Sequence, residues 1–282
     1  MTVTLRGAVL AWGRLTADFR MTPSVLVIGA QRSGTTTLFR LLEAHPNLVR
    51  PTLVKGTGYF DDRYAHGARW YAAHFPLRVT ARWLARGGPA HTFECSGYYL
   101  FHPLAAGRIA RDLPGVQVVV LVRDPVERAC SAYRHELARG FETKSFEEAL
   151  MLEPFRTAGE GDRLAAEPDY RSFAHRHHAY LQRSDYAPQI QRFVDALGAD
   201  RVHVVEADEF FADPVTQFLA LQRSLGLPEW EPGEVGHWNA RPGRSLSPAR
   251  RAELMHHFER SDARLAALLG RTPSWRRARV AS

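Results

Sequence analysis

The stretch Val25-Leu26-Val27-Ile28-Gly29-Ala30-Gln31-Arg32-Ser33-Gly34-Thr35-Thr36-Thr37-Leu38 narrows the possible folds of this 282-residue chain more than any other. From Ser24 to Gly29 it is a continuous apolar run, the pattern of a strand buried on both faces of a parallel sheet. A loop bounded by Gly29 and Gly34 follows. Residues 36–44 then read as a helix with Leu38, Leu41 and Leu42 inward, closed by His45-Pro46-Asn47. Backbone N–H groups converge in such a loop and the helix N-terminus adds positive potential, so the segment suits an anion. The spacing Gly29-x4-Gly34 is that of a Walker loop, but Thr35 stands where the phosphate-holding lysine belongs. The cation here is Arg32, within the loop. Ordinary ATP or GTP chemistry is disfavoured.

Further along, Val116–Val122 is a second buried strand, ended by Arg123-Asp124-Pro125, with a helix over 126–139 that has proline at its start. Residues 201–205 and 92–95 supply two more strands. Helices fit 67–74, 146–152, 171–183, 186–197, 214–225 and, with a break, 247–269. Residues 152–169 and 229–248 read as the long loops. Strands alternating with helices predict an α/β, P-loop-like three-layer fold, a central parallel sheet with helices on both faces. Residues 5–19 place Leu5, Val9, Trp12 and Leu15 at helical spacing, broken by Met21-Thr22-Pro23. The expected organisation is an amphipathic N-terminal helix within 1–23 and a single domain over 24–282.

The net charge is +7 and the pI about 9.8. Only Lys55 and Lys144 are lysines, leaving 35 arginines. There is no block of like charge, no aromatic-basic RNA motif and no finger spacing, so the basic excess suits a small phosphorylated ligand better than nucleic acid. No apolar run approaches the roughly 20 residues of a membrane span, and no signal-peptide order is present, which predicts a cytoplasmic protein without an integral membrane segment. Cys95 and Cys130 are too few for a disulfide framework or thiolate metal site. His175, His177 and His178, like His256 and His257, read as solvated helix surface, and no metal site is expected.

A second constellation is Arg123-Asp124-Pro125-Val126-Glu127-Arg128-Ala129-Cys130-Ser131. Arg123 lies at a strand's carboxyl end, where open α/β sheets place ligands, and Ser131 follows two helical turns on. A guanidinium and a hydroxyl so arranged can converge on one phosphate. Together the two segments resemble the sulfotransferases that use 3′-phosphoadenosine 5′-phosphosulfate (PAPS), in particular the bacterial and heparan-sulfate-type glycan enzymes. The likeness continues through His45-Pro46, Tyr59-Phe60-Asp61, Trp70-Tyr71, Tyr180-Leu181, Asp213-Pro214 and Leu225-Gly226-Leu227-Pro228, over roughly residues 24–270. It implies a metal-independent transferase in which Arg32, Ser33, Gly34, Thr35, Thr36 and Thr37 cradle the 5′-phosphosulfate. Arg123 and Ser131 would bind the 3′-phosphate, and the product would be adenosine 3′,5′-bisphosphate. Arg241 or Arg244 would close over the nucleotide, with Arg32 at the leaving phosphate.

The departures fall on the acceptor side. After Lys55 the family commonly shows a glutamate and, two positions later, a histidine; here both are glycine, Gly56 and Gly58. Cys95 follows Glu94 where the heparan enzymes show a lysine. The general base is therefore sought in Asp61 first, then Glu94, then His102, and Lys55 is expected to contact acceptor or sulfonate. Two lost side chains and a lost lysine predict a wider, less charged pocket taking a neutral or apolar small molecule or glycan, with Tyr59, Phe60, Tyr98 and Tyr99 as stacking faces. The rival readings are a P-loop small-molecule kinase, with Asp124 on Mg²⁺, and a bisphosphate- or nucleic-acid-binding protein without catalysis. Oligomeric state has no signature in the sequence.

Overall fold

Five short strands, all parallel, form the centre: β1 (Val25–Gly29), β2 (Leu48–Val49), β3 (His91–Cys95), β4 (Gln117–Val122) and β5 (Val202–Glu206), in the order β2-β3-β1-β4-β5. The computed structural model describes residues 3–85, 88–233 and 246–277. Along the central strands, Leu26, Ile28, Val118, Val120 and Val122 join one apolar cluster, while Val25, Val27, Val119 and Leu121 join another. Both faces are dry, which is why these strands read as unbroken apolar runs.

The helices are α1 (Val3–Leu15), α2 (Thr35–Ala44), α3 (Ala68–Ala72), α4 (Arg78–Leu84), α5 (Ala105–Asp112), α6 (Pro125–Ala138), α7 (Phe146–Thr157) and α8 (Glu160–Ala166). They continue with α9 (Phe173–His177), α10 (Tyr186–Leu197), α11 (Ala207–Ala212), α12 (Pro214–Ser224), α13 (Pro248–His257), α14 (Glu259–Leu269) and α15 (Ser274–Arg277). Ile109 of α5, Val126 of α6 and Phe193 of α10 pack on the first face of the sheet. Leu38 of α2, Phe210 of α11 and Phe218 of α12 pack on the second. The expected three-layer α/β architecture is present. From β1 the chain moves out to β2 and β3; from β4 it moves the opposite way to β5. That divergence leaves a crevice at the carboxyl ends of β1 and β4, the ligand position of open α/β sheets.

Two expectations fail together. The loop expected over 152–169 is largely helical, because α7 runs on to Thr157 and α8 begins after Gly159, whose φ of +71° makes the break. The helix expected over 171–183 shrinks to Phe173–His177. One carboxylate explains the second. Glu153, buried on α7, accepts from the Leu181 and Gln182 backbone N–H groups at 2.8 and 2.9 Å. Those N–H groups would otherwise have continued a helix, while α7 runs on through its Pro154. At the N-terminus, α1 ends at Leu15 rather than Phe19, where the Thr16 hydroxyl donates back to the Trp12 carbonyl and residues 17–19 tighten into a 3₁₀ turn. Gly13 lets α1 lie close to the chain after α3, since a Cβ there would come within 2.6 Å of the Ala73 Cβ.

Candidate active site

The loop after β1 turns back over the crevice. Its Ala30 N–H donates to the Leu121 carbonyl of β4 at 2.8 Å, and the Gly34 carbonyl accepts from Thr37 N–H at 3.0 Å as α2 starts. Gly34 has φ +94°, and a Cβ there would meet the Phe211 ring at 2.5 Å, so conformation and close approach both require glycine. Arg32 is also held at positive φ, +75°. Its Nε donates to Ser131 Oγ on α6 at 3.1 Å, which joins the two segments singled out in the sequence. Ser33 and Thr37 are buried against the core, whereas Thr35 and Thr36 stay partly open.

Arg123 ends β4, and its carbonyl accepts from the Tyr186 hydroxyl at 2.9 Å. Its guanidinium is partly exposed, 3.9 Å from Glu127. Asp124 is spent elsewhere. One oxygen caps α6, accepting from Val126 and Glu127 N–H at 2.9 and 3.2 Å, and the other pairs with Arg251. The kinase reading therefore has no free carboxylate at this turn.

Lys55 restores in space what the loop lacks in sequence. Its ammonium donates to Thr36 Oγ1 at 3.2 Å and reaches Thr35 Oγ1 at 3.5 Å. The position comes from the backbone, since the Lys55 carbonyl accepts from Cys95 N–H at the end of β3 at 3.0 Å. Gly56 follows because the chain presses on that strand end: a Cβ there would stand 2.2 Å from the Cys95 carbonyl oxygen. Cys95 itself is buried, its thiol pushed up by burial and directed at the Thr35 carbonyl.

Beyond Lys55 opens a cavity of about 390 Å³. Lys55, Arg63, Arg139, Arg176 and Arg183 line it, against Asp61 and Asp62. Where the sequence predicted a less charged pocket than in the heparan enzymes, the walls are polar and carry an excess of cations. The glycines removed two side chains, but arginines from α6's end and from 176–183 fill the rim. The stacking faces are corrected as well. Tyr59, Phe60 and Tyr99 are buried in an aromatic cluster with Tyr71, and Tyr98 alone of the four lines the cavity.

The base candidates separate sharply. Glu94 has no exposed surface. Its Oε1 accepts from Thr57 N–H and Oγ1, Ser96 Oγ and Tyr99 OH at 2.7–2.8 Å, and its Oε2 from Tyr71 OH at 2.8 Å. Such a saturated carboxylate organises the loop 55–59 and has no free oxygen facing the cavity. His102 is buried, with its Nδ1 accepting from Leu104 N–H and its pKa lowered to about 3 by burial and by the nearby Arg108. Asp61 lines the cavity, 3% exposed, and burial pushes its pKa up to about 6 against the opposing pull of Arg176.

Sequence reading missed several residues here. Of the histidines taken as solvated surface, His256 and His257 are exposed, but His175, His177 and His178 pack inward: His175 is buried, hydrogen-bonded to Tyr98 OH at 2.8 Å and stacked on Phe101. His177 lines the cavity with its Nδ1 2.9 Å from Glu136; burial raises the Glu136 carboxyl, but the His177 hydrogen bond together with the charges of His177, His135 and Arg139 holds it below its usual range. Arg183, fully buried, hydrogen-bonds Gln31 in the phosphate loop and lies 4.8 Å from the Tyr98 ring centre. A histidine-rich segment between two loops offered no periodicity that would have located these contacts. Arg241 and Arg244 lie outside the described residues.

Comparison with known proteins agrees with this geometry. The sequence pattern of the sulfotransferase domain matches residues 22–258. A solved sulfotransferase from Alicyclobacillus acidocaldarius is 28% identical and superposes with a TM-score of 0.67, over 91% of this chain and 99% of that one. The chain is 28% identical over 212 residues to the mouse bifunctional heparan sulfate N-deacetylase/N-sulfotransferase 4, matching 73% of itself but 22% of that protein. It is 22% identical to the membrane-associated sulfotransferase kil1 of Dictyostelium discoideum, over 90% of this chain and 66% of the relative. The chain thus spans about a fifth to two thirds of the length of these curated relatives. With the phosphate loop, the Arg32–Ser131 junction and Lys55 in place, a match over most of its length means that the chain belongs to the sulfotransferase domain family.

Proposed function

We propose that the protein transfers a sulfuryl group from PAPS to a hydroxyl or amine of an acceptor seated in the cavity beside Lys55. The observation that carries this is the convergence of Lys55 and Arg32 on one loop, with Ser131 and Arg123 beside it. PAPS supplies a sulfuryl group on a phosphate leaving group; transfer breaks the sulfur–oxygen bond to that phosphate and forms a sulfur–oxygen bond to an acceptor hydroxyl or a sulfur–nitrogen bond to an amine. Lys55, Arg32 and the loop amides stabilise negative charge where it builds on the leaving phosphate. Arg123 and Ser131 hold the 3′-phosphate. Arg241 and Arg244 stay assigned to contacts with the nucleotide. Asp61 takes the acceptor proton, its raised pKa suiting it to do so near neutral pH. No divalent metal is required, because these cations do the work that Mg²⁺ does in phosphoryl transfer.

The cation-lined cavity favours an acceptor that bears a carboxylate or existing sulfate among its hydroxyls, of which a glycan is the leading class. This reading keeps the protein in the cytoplasm, with both cysteines free. The test is calorimetry of adenosine 3′,5′-bisphosphate against ATP·Mg²⁺, followed by labelled PAPS with an acidic glycan panel and a neutral one. Strong bisphosphate binding, weak ATP binding and label on the acidic panel with EDTA present are expected. Equal ATP affinity, or turnover abolished by EDTA and restored by Mg²⁺, would return the kinase reading.

A further inference from the structure

Among the described residues eleven large apolar side chains are exposed, and seven of them fall in two short segments, residues 5–19 and 79–84. On α1, Leu5, Trp12 and Leu15 form one stripe beside the edge, marked by Gly13, that packs on Ala73. Phe19 follows in the 3₁₀ turn. On α4, Val79 and Trp83 stand one turn apart and are 75% and 85% exposed. The chain that follows α1 meets the start of α4 at one corner, where Arg20 and Leu77 form a bridge and the Arg78 guanidinium donates to the Arg20 carbonyl at 3.0 Å. Both lead into strand starts, α1 into β1 and α4 into β3. The corner therefore belongs to the amino end of the sheet, opposite the phosphate loop.

The charge around these side chains is predominantly positive. Arg6, Arg14, Arg69, Arg78 and Arg82 are exposed, and the only acid in the two segments is Asp18, already paired with Arg69 at 3.1 Å. Arginines flanking tryptophans and leucines on a surface-lying helix are the composition of an interfacial, non-spanning membrane contact. No described helix is long and apolar enough to cross a bilayer. A second copy of the chain fits this face poorly, because a two-fold contact would set five arginines against five.

We propose that the α1–α4 corner docks the protein peripherally on a bilayer rich in anionic lipid, with the tryptophans at headgroup depth and the active-site crevice turned toward water. The test is co-sedimentation of the full chain with phosphatidylcholine vesicles, with and without phosphatidylglycerol. Binding is expected only with phosphatidylglycerol, weakening as salt rises and accompanied by a blue shift of tryptophan emission. Trp12→Ser with Trp83→Ser should lower vesicle affinity by tenfold or more, on the order of their lost apolar burial. Each of Arg14→Glu and Arg82→Glu should lower it about fivefold or more. Phe155→Ser, at an exposed apolar site on α7, should bind like wild type, and thermal melts of all variants should match it. Absence of vesicle binding, or equal binding by wild type and the corner variants, overturns the proposal. So does a concentration-dependent dimer, seen by sedimentation velocity without lipid and lost in the tryptophan variant, which would assign the face to a second copy.

Discussion

The half of the crevice proposed for the nucleotide and the half proposed for the acceptor are built from different materials. The nucleotide half is mainly backbone and short-range sequence: Gly29 to Thr37 in one segment, Arg123 to Ser131 in another, each fixed by the strand that precedes it. The acceptor half is side chains gathered from residues 31, 55–63, 95–98, 139 and 176–183, far apart in the chain. A backbone cradle tolerates few sequences, because a Cβ at Gly34 strikes Phe211. A side-chain wall can be changed one residue at a time, and here arginine supplies much of it.

The contrast can be broken experimentally, and the largest effect is expected at Asp61. Asp61→Asn should lower kcat by ~10²–10⁴ while bisphosphate affinity stays near wild type. In the wild type the base works only when ionised, so kcat should fall as pH drops through about 6 and be level above it. The variant should lose that limb. If the variant keeps full kcat, the His177–Glu136 pair is the next group on the cavity wall to substitute.

Lys55→Ala comes next, at ~10²–10³ in kcat, since it removes one preorganised donor from the leaving-group side. Saturation kinetics should show a smaller change in the acceptor KM than in kcat. Arg123→Ala should weaken bisphosphate binding about 10–100-fold by calorimetry, the worth of a charge-assisted contact on a partly exposed group. It should leave adenosine 5′-phosphosulfate, which lacks the 3′-phosphate, nearly unaffected.

Two smaller effects sharpen the acceptor side. Arg176→Ala should raise the KM of an acidic acceptor by about tenfold with little change for a neutral one, since it removes one rim cation. Gly56→Ala should cost about 1–3 kcal/mol in a urea melt, because its Cβ would force the 55–58 chain off the Cys95 carbonyl.

Legibility in the sequence follows the same division. The four longer strands lie within a residue of their expected limits, because burial on both faces writes a continuous apolar run. The two-residue β2 has no such run and was missed. Residues 146–183 misled in both directions, since Pro154 and Gly159 read as breakers while the deciding contact, Glu153 with Leu181 and Gln182, spans nearly thirty residues. Asp61 and Glu94 look alike in the sequence, as acids beside aromatic or strand residues. Their fates part only through five hydroxyl and amide donors that surround one and the cavity that faces the other.

By itself the sequence determined the parallel α/β sheet, the glycine-bounded loop after β1 and the strand-to-helix turn from Arg123 to Ser131, because each rests on contiguous residues whose hydrophobic period or backbone conformation is local. The tertiary structure alone decided that Lys55 meets the loop, that Arg32 bonds Ser131, that His175, His177 and His178 turn inward and that the cavity beside Lys55 is cationic. Those outcomes depend on which distant segments the sheet order brings to the carboxyl ends of β1 and β3, and strand order leaves no periodic trace in a single chain.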